Sequence, residues 1–170
     1  MATNKVLFLS VDYLRDNTVI NGNVDSELLE PFIQLAQNVH IEGVLGTLIY
    51  NEIIGQIQTD SLTALNKTLI DDFVQPALVQ WSLYEALPFI NYKLTNKSIS
   101  TKNSDNSDPV DLDALHYLRT NVRNSAEYLS ERITKYLDKN EVEYPLYCEN
   151  TEVDEISPNK SNYFSGIVFD

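Results

Sequence analysis

The sequence predicts an all-α fold, a helical bundle of about four to five helices with extended N- and C-terminal arms. Three observations carry this. Pro76 to Ile90 reads PALVQWSLYEALPFI, apolar almost all the way round with the single charge Glu85; apolar residues recur at three-to-four spacing across 28–39 and 112–136; and a polar stretch, TNKSISTKNSDNSD at 95–108, separates the two. A helix apolar on every face must be buried on every face, so the 76–90 run forms the centre and the other helices wrap it. At 170 residues the chain suits one domain, burying about two-thirds of its unfolded surface. The one cysteine, Cys148, cannot form an intramolecular bridge, so folding rests on the core alone.

Val6 to Ser10 reads as a short extended segment and Val11 to Arg15 as a single helical turn. INGNVD at 20–25 is a loop whose Asp25 suits an N-cap, with Glu27 favourable in the first turn and Val24 placed to staple onto Leu29. The stripe Leu28, Leu29, Phe32, Leu35, Ala36 and Val39 then predicts an amphipathic helix. Gly43 and Gly46 weaken its end, and a second pattern starts at Thr47 with Leu48, Ile49, Ile53, Ile54 and Ile57, interrupted by Gly55.

A third helix is expected with Asp60 or Ser61 as cap, running through Leu62, Leu65, Leu69 and Ile70, and then bending or breaking at Pro76. Pro76 and Pro88 each remove an N–H and displace the carbonyl four residues earlier, here those of Asp72 and Tyr84. Residues 95–108 have almost nothing to bury and read as a mobile loop. Asp108 then caps a helix with Pro109 first and Asp111 third. Leu112, Leu115, Leu118, Val122, Ala126, Leu129, Ile133 and Tyr136 mark an amphipathic helix of about 30 residues over 109–139, long against a mean nearer 12.

The chain thus divides into a body, 1–140, and an acidic arm, 141–170. The arm holds seven acidic residues against Lys160 alone, with apolar islands YPLY at 144–147 and YFSGIVF at 163–169. Apolar tips are costly to leave in water, so Tyr144, Tyr147, Tyr163, Phe164, Ile167, Val168 and Phe169 form the candidate interface. Tyrosine suits such a surface, because its ring packs while its hydroxyl stays hydrogen-bonded.

The net charge of −13 repels nucleic-acid backbone and argues against specific DNA or RNA binding. No signal peptide or membrane span is expected: the N-terminal apolar run Val6 to Leu9 is cut short by Asp12 and Arg15, and the central run falls short of the about 20 residues a bilayer requires. Chemistry is equally thin. His40 and Glu42 are too close in sequence to share a helical face, and Asp113 with His116 supplies two ligands at most. Cys148, in YCEN, lacks sequence neighbours that would activate a thiolate. The sequence therefore assigns no catalytic, metal or cofactor residue. Two readings of another class remain open: an acidic helical interaction module, acting as a regulatory adaptor or DNA-mimic inhibitor, and an enzyme built around His40 or His116.

The order of parts resembles the head–tail connector, or adaptor, proteins of tailed bacteriophages, closest in look to those of crAss-like phages. The segments carrying the resemblance are ELLEPFIQLAQNVHIEGVLGTLIYNEII (27–54), DDFVQPALVQWSLYEALPFINYKLTNKSI (71–99), the long helix 109–139 and NYFSGIVF (162–169). The resemblance implies a virion protein without enzymatic activity or cofactor, at the head–tail junction and assembled in the host cytoplasm. It implies a ring of about twelve copies of itself docked on the portal protein, meeting the next tail or ring protein and extending a channel through which DNA passes without specific binding. The terminal arms are then expected to reach the portal or a neighbouring subunit.

Overall fold

Five helices and one small hairpin make up the described part of this all-α protein, a computed structural model that describes residues 6–20, 26–95, 98–101, 112–148 and 155–160. Helix α1 is Val11–Asp16, capped by Ser10, whose Oγ accepts from the Tyr13 amide. Helix α2, residues 26–45, is α-helical over Ser26–Ala36, widens to a π turn over Gln37–Ile41 and returns to α over Glu42–Leu45. Helix α3 is Thr47–Gln58. Helix α4, residues 64–91, runs through Ala64–Leu69, a second π turn over Ile70–Val74, and Gln75–Asn91. Helix α5 is Leu112–Lys139, followed by a 3-10 turn at Pro145–Tyr147. No described helix is long and apolar enough to cross a membrane.

Helix α4 is the centre that its composition demands. Ala77, Leu78, Val79, Trp81, Leu83, Ala86 and Leu87 are buried, with α2 and α5 both packed along it. Pro76 does not break α4. The π turn just before it shifts the hydrogen bonds, so that the Gln75 amide reaches back to the Ile70 carbonyl, and the helix passes the proline uninterrupted.

Several sequence expectations are corrected. The cap of the third helix is Thr63, whose hydroxyl accepts from the Asn66 amide; Asp60, at φ 51°, instead ends α3 in the left-handed region. Val6 to Ser10 forms no strand. Phe8 and Leu9 are buried in the core, so this N-terminal segment belongs to the body rather than reaching out as an arm. On α2 the buried stripe is Leu29, Ile33, Ala36, Gln37 and Ile41, whereas Leu28, Leu35 and Val39 face outward. The expected mobile loop opens as an antiparallel hairpin, β1 (Tyr92–Thr95) with β2 (Ser98–Thr101), pairing Thr95 with Ser98 and Tyr92 with Thr101. Its Tyr, Thr and Ile residues favour extended backbone, a signal the Ser- and Asn-rich composition masks. On α5 Val122, Ala126 and Ile133 of the stripe are buried and Leu115, Leu129 and Tyr136 half-buried, but Leu112 and Leu118 are exposed. Val24, Asp25, Pro109, Asp111 and positions 96–97 and 102–108 of the loop lie outside the described residues.

The acidic arm does not begin at 141. Residues 155–160 form a strap across the α2–α3 junction: the Thr47 amide donates to the Ile156 carbonyl, the Ile156 amide to Thr47 Oγ1, and the Asn159 amide to the Gly43 carbonyl. At the junction Gly46 adopts φ +78°, and a Cβ there would lie 2.7 Å from Cγ of Pro158. Gly46→Ala therefore meets both backbone strain and a clash with the strap. A loss of about 1–3 kcal/mol is expected, together with faster amide exchange at Thr47 and Asn159; an unchanged melting temperature would refute this account.

Candidate functional site

The one charge in the apolar run of α4 finds its partner on α2. The π turn carries His40 onto the indole of Trp81, with ring centroids 3.7 Å apart and planes within 4°. His40 Nε2 lies 2.9 Å from Glu85 Oε1, and both side chains are mostly buried. Trp81 Nε1–H donates to Ser130 Oγ of α5 at 2.9 Å, so one indole joins three helices. Tyr84 stands edge-on to both rings.

The Tyr84 carbonyl is the one that Pro88 frees. Arg119 of α5 supplies its donor, Nε at 3.4 Å, while the guanidinium lies 4.1 Å from the centre of the Tyr84 ring. Displacing a carbonyl creates an acceptor, and a cation with a planar fork answers both it and the aromatic face. His40, Trp81, Tyr84, Glu85 and Arg119 thus form a polar seam between α2, α4 and α5. A histidine beside a carboxylate is a proton-transfer pair in many enzymes, but such a pair activates a nucleophile only when one bonds to the ring. Among the described residues no serine, threonine or cysteine hydrogen-bonds to His40, whose Nε2 is taken by Glu85.

Tyr144 and Tyr147, expected to face a partner, are packed into the body instead, 4% and 1% exposed. Tyr144 donates its hydroxyl to the Leu65 carbonyl and stands edge-on to Tyr136. Burial pushes the Tyr147 phenol up to about 12 and raises Tyr144 as well, each held neutral by its apolar surroundings. Beside them opens a groove of about 400 Å³ lined by Ile49, Glu52, Leu65, Asn66, Tyr144 and Leu146, shallow and mostly apolar. Tyr163, Phe164, Ile167, Val168 and Phe169 lie outside the described residues.

Cys148 is exposed and has a basic neighbour that its local sequence did not reveal, Lys160 Nζ at 3.7 Å from Sγ. The same ammonium lies 4.5 Å from the Tyr147 ring centre and near Asp138 and Glu141, which holds the strap end against α5 and the turn that follows it. His116 is exposed on α5. Among the described residues no group of three or more His, Cys, Asp or Glu is placed to hold a metal ion.

Sequence reasoning missed the seam. The usable signal was the solitary Glu85 in an apolar run: a half-buried carboxylate needs a partner, and only two histidines exist to provide an aromatic one.

A family match covers residues 41–156, from the last residue of the first π turn to the strap residue that bonds Thr47. The chain belongs to DUF6712, a family of unknown function. The match takes in Trp81, Tyr84, Glu85 and Arg119 of the seam, while His40 and most of α2 precede it. Comparison with curated proteins and with solved structures gives no match.

Proposed function

We propose that this DUF6712 protein is a structural, non-enzymatic virion component, a head–tail connector ring that docks on the portal, extends the DNA channel and links capsid to tail. The observation that carries this reading is where the body spends its large side chains. Trp81, Tyr144 and Tyr147 are consumed inside the domain, yet Leu28, Leu35 and Val39 on α2, and Tyr117, Leu118 and Tyr128 on α5, are left outward. A body that keeps apolar residues on two helices in this way is suited to assembly. The net charge of −13 supports the same reading, since a channel past which DNA slides must not hold phosphate.

On this reading the terminal NYFSGIVF, residues 162–169, reaches the portal, past a strap that fixes residues 155–160. Deleting residues 162–170 is expected to leave the helical circular dichroism and melting temperature unchanged while abolishing co-purification with the portal encoded in the same genome. Retained portal binding, or an unfolded body, would defeat the arm assignment. A protein that ignores the portal but competes with DNA for a DNA-binding protein would support the acidic interaction module, a reading that the same charge also fits.

A further inference from the structure

We infer that the β1–β2 hairpin of one copy docks in the groove between α3, the start of α4 and the Pro145–Tyr147 turn of a second copy, head to tail. A two-stranded hairpin alone is marginal in water and gains stability by packing on another surface. Here the strands pack chiefly on each other and on the end of α4 from which they grow. Their register sets Leu94 opposite Ile99 and Lys93 opposite Ser100.

The hairpin's own groove is out of its reach. Leu65 lines the groove near the start of α4, and Asn91 ends that helix twenty-six residues later, about 39 Å along the axis. Each strand of the hairpin has four residues and spans about 13 Å. Hairpin and groove therefore stand at opposite ends of the central helix and meet between molecules.

Charge complementarity selects the second copy. Residues 92–104 hold Lys93, Lys97 and Lys102 and no acidic residue, three of the chain's twelve basic residues in a protein of net charge −13. The same stretch carries the apolar Tyr92, Leu94 and Ile99. The groove answers both properties: Ile49, Leu65, Tyr144 and Leu146 make it apolar, and the exposed Glu52 and Glu143 make it acidic. Among the described residues neither carboxylate forms an ion pair, and Glu52 Oε1 accepts from Gln56 of its own helix. A lysine can lay its methylene stem on such a floor while its ammonium reaches a carboxylate at the edge. Opposite charge also steers the encounter and fixes its register. Because hairpin and groove are different surfaces, the contact is heterologous: each copy offers one forward and the other back, and repetition gives a ring or an open chain.

This inference deepens the ring reading and rests on it for biological context, but its test needs no portal. Wild-type protein in sedimentation velocity is expected to associate with rising concentration into species larger than a dimer, and less so as salt is added. Glu52→Lys with Glu143→Lys in the groove, and Lys93→Glu with Lys97→Glu on the hairpin, should each weaken association by at least about tenfold, with unchanged helical circular dichroism. Each variant alone sets like charge against like. Mixed in equal amounts, the two should associate again, because each then offers the other an opposite surface. A carbodiimide, which joins a carboxylate directly to an amine, should link Lys93 or Lys97 to Glu52 or Glu143. In a mixture of unlabelled and isotope-labelled protein, those linked peptides should pair one label with the other. A wild type monomeric up to several hundred micromolar, a dimer that does not grow, or a mixture that associates no better than its parts would overturn the inference. Association lost in the hairpin variant but untouched in the groove variant would seat the hairpin elsewhere and overturn it equally. Portal capture by a protein that fails these tests would sink the hairpin–groove contact alone, and self-association through it without portal capture would sink the connector reading alone.

Discussion

Replacing Trp81 by alanine is expected to destabilise the protein by about 3–5 kcal/mol, within the range for emptying a large aromatic from a packed core. For a chain of this size that corresponds to a fall in melting temperature of roughly 6–20 °C. Three losses combine. The indole leaves a cavity at the centre of α4; Ser130 Oγ, fully buried, loses the N–H that bonds it; and His40 loses the surface on which its ring lies flat. The last effect spreads, because an imidazole freed from its stack no longer holds Nε2 at 2.9 Å from Glu85, and a mostly buried carboxylate is then left without a fixed partner. Trp81→Phe separates the contributions, since it keeps a ring against His40 but deletes the donor to Ser130; about 1–2 kcal/mol is expected. Chemical denaturation of both variants, with His40→Ala and the double variant completing a cycle, measures how far the stack and the ion pair act as one unit. A Trp81→Ala midpoint within error of wild type would show that the seam contributes nothing.

What was legible in the sequence was local. The apolar run of α4 announced itself through period and composition, and the same period located α2, α3 and α5. The consequence of Pro88 was also local: a proline disturbs the carbonyl four residues back, so the need of Tyr84 was readable even though its answer, Arg119, lies 35 residues downstream. The residues that answer from afar were not readable. His40 meets Glu85 across 45 residues, and nothing in the sequence around either names the other. The π turns escaped for a related reason. A π turn inserts one residue into the helical repeat, so the apolar phase of α2 slips over Gln37–Ile41, where Gln37 and Ile41 are buried and Val39 faces outward, while Leu28 and Leu35, before the turn, lie at the edge of the stripe that Leu29, Ile33 and Ala36 form. Tyr144 and Tyr147 were misplaced because their neighbours in sequence are acidic, whereas their neighbours in space are Leu65, Tyr136 and the strap. Local composition reports the chain's solvent-facing side and is blind to what a turn folds beneath it.

Gln37→Leu should cost about 2–4 kcal/mol, the sum of more than one buried polar group stranded at about 1–3 kcal/mol each. Leucine nearly matches glutamine in volume, so the loss reports hydrogen bonds rather than packing. In the native protein the Gln37 amide, buried in the first π turn, does the work of a neighbouring strand: Oε1 accepts from the Phe8 amide at 2.8 Å and Nε2 donates to the Val6 carbonyl at 3.0 Å. Nε2 also lies 3.0 Å from the Tyr50 hydroxyl, which in turn donates to Asn38 Oδ1. From the second π turn's end, Gln75 Nε2 donates to the Phe8 carbonyl at 2.9 Å. Phe8 is thereby gripped by two glutamines, one from each helix, and its N–H and C=O are satisfied without any strand partner. With leucine at 37 the Phe8 amide has no acceptor inside the core, while Tyr50 keeps Asn38 and loses less. Gln75→Leu strands only one carbonyl on a half-buried position and should cost about 1 kcal/mol. The ordering of the two variants is the discriminating result. Equal losses would mean that the N-terminal segment is held by Phe8 and Leu9 burial alone; a larger loss at 37, with exchange of the Phe8 amide accelerated in that variant first, means that a helix side chain supplies the hydrogen bonds a sheet would otherwise provide.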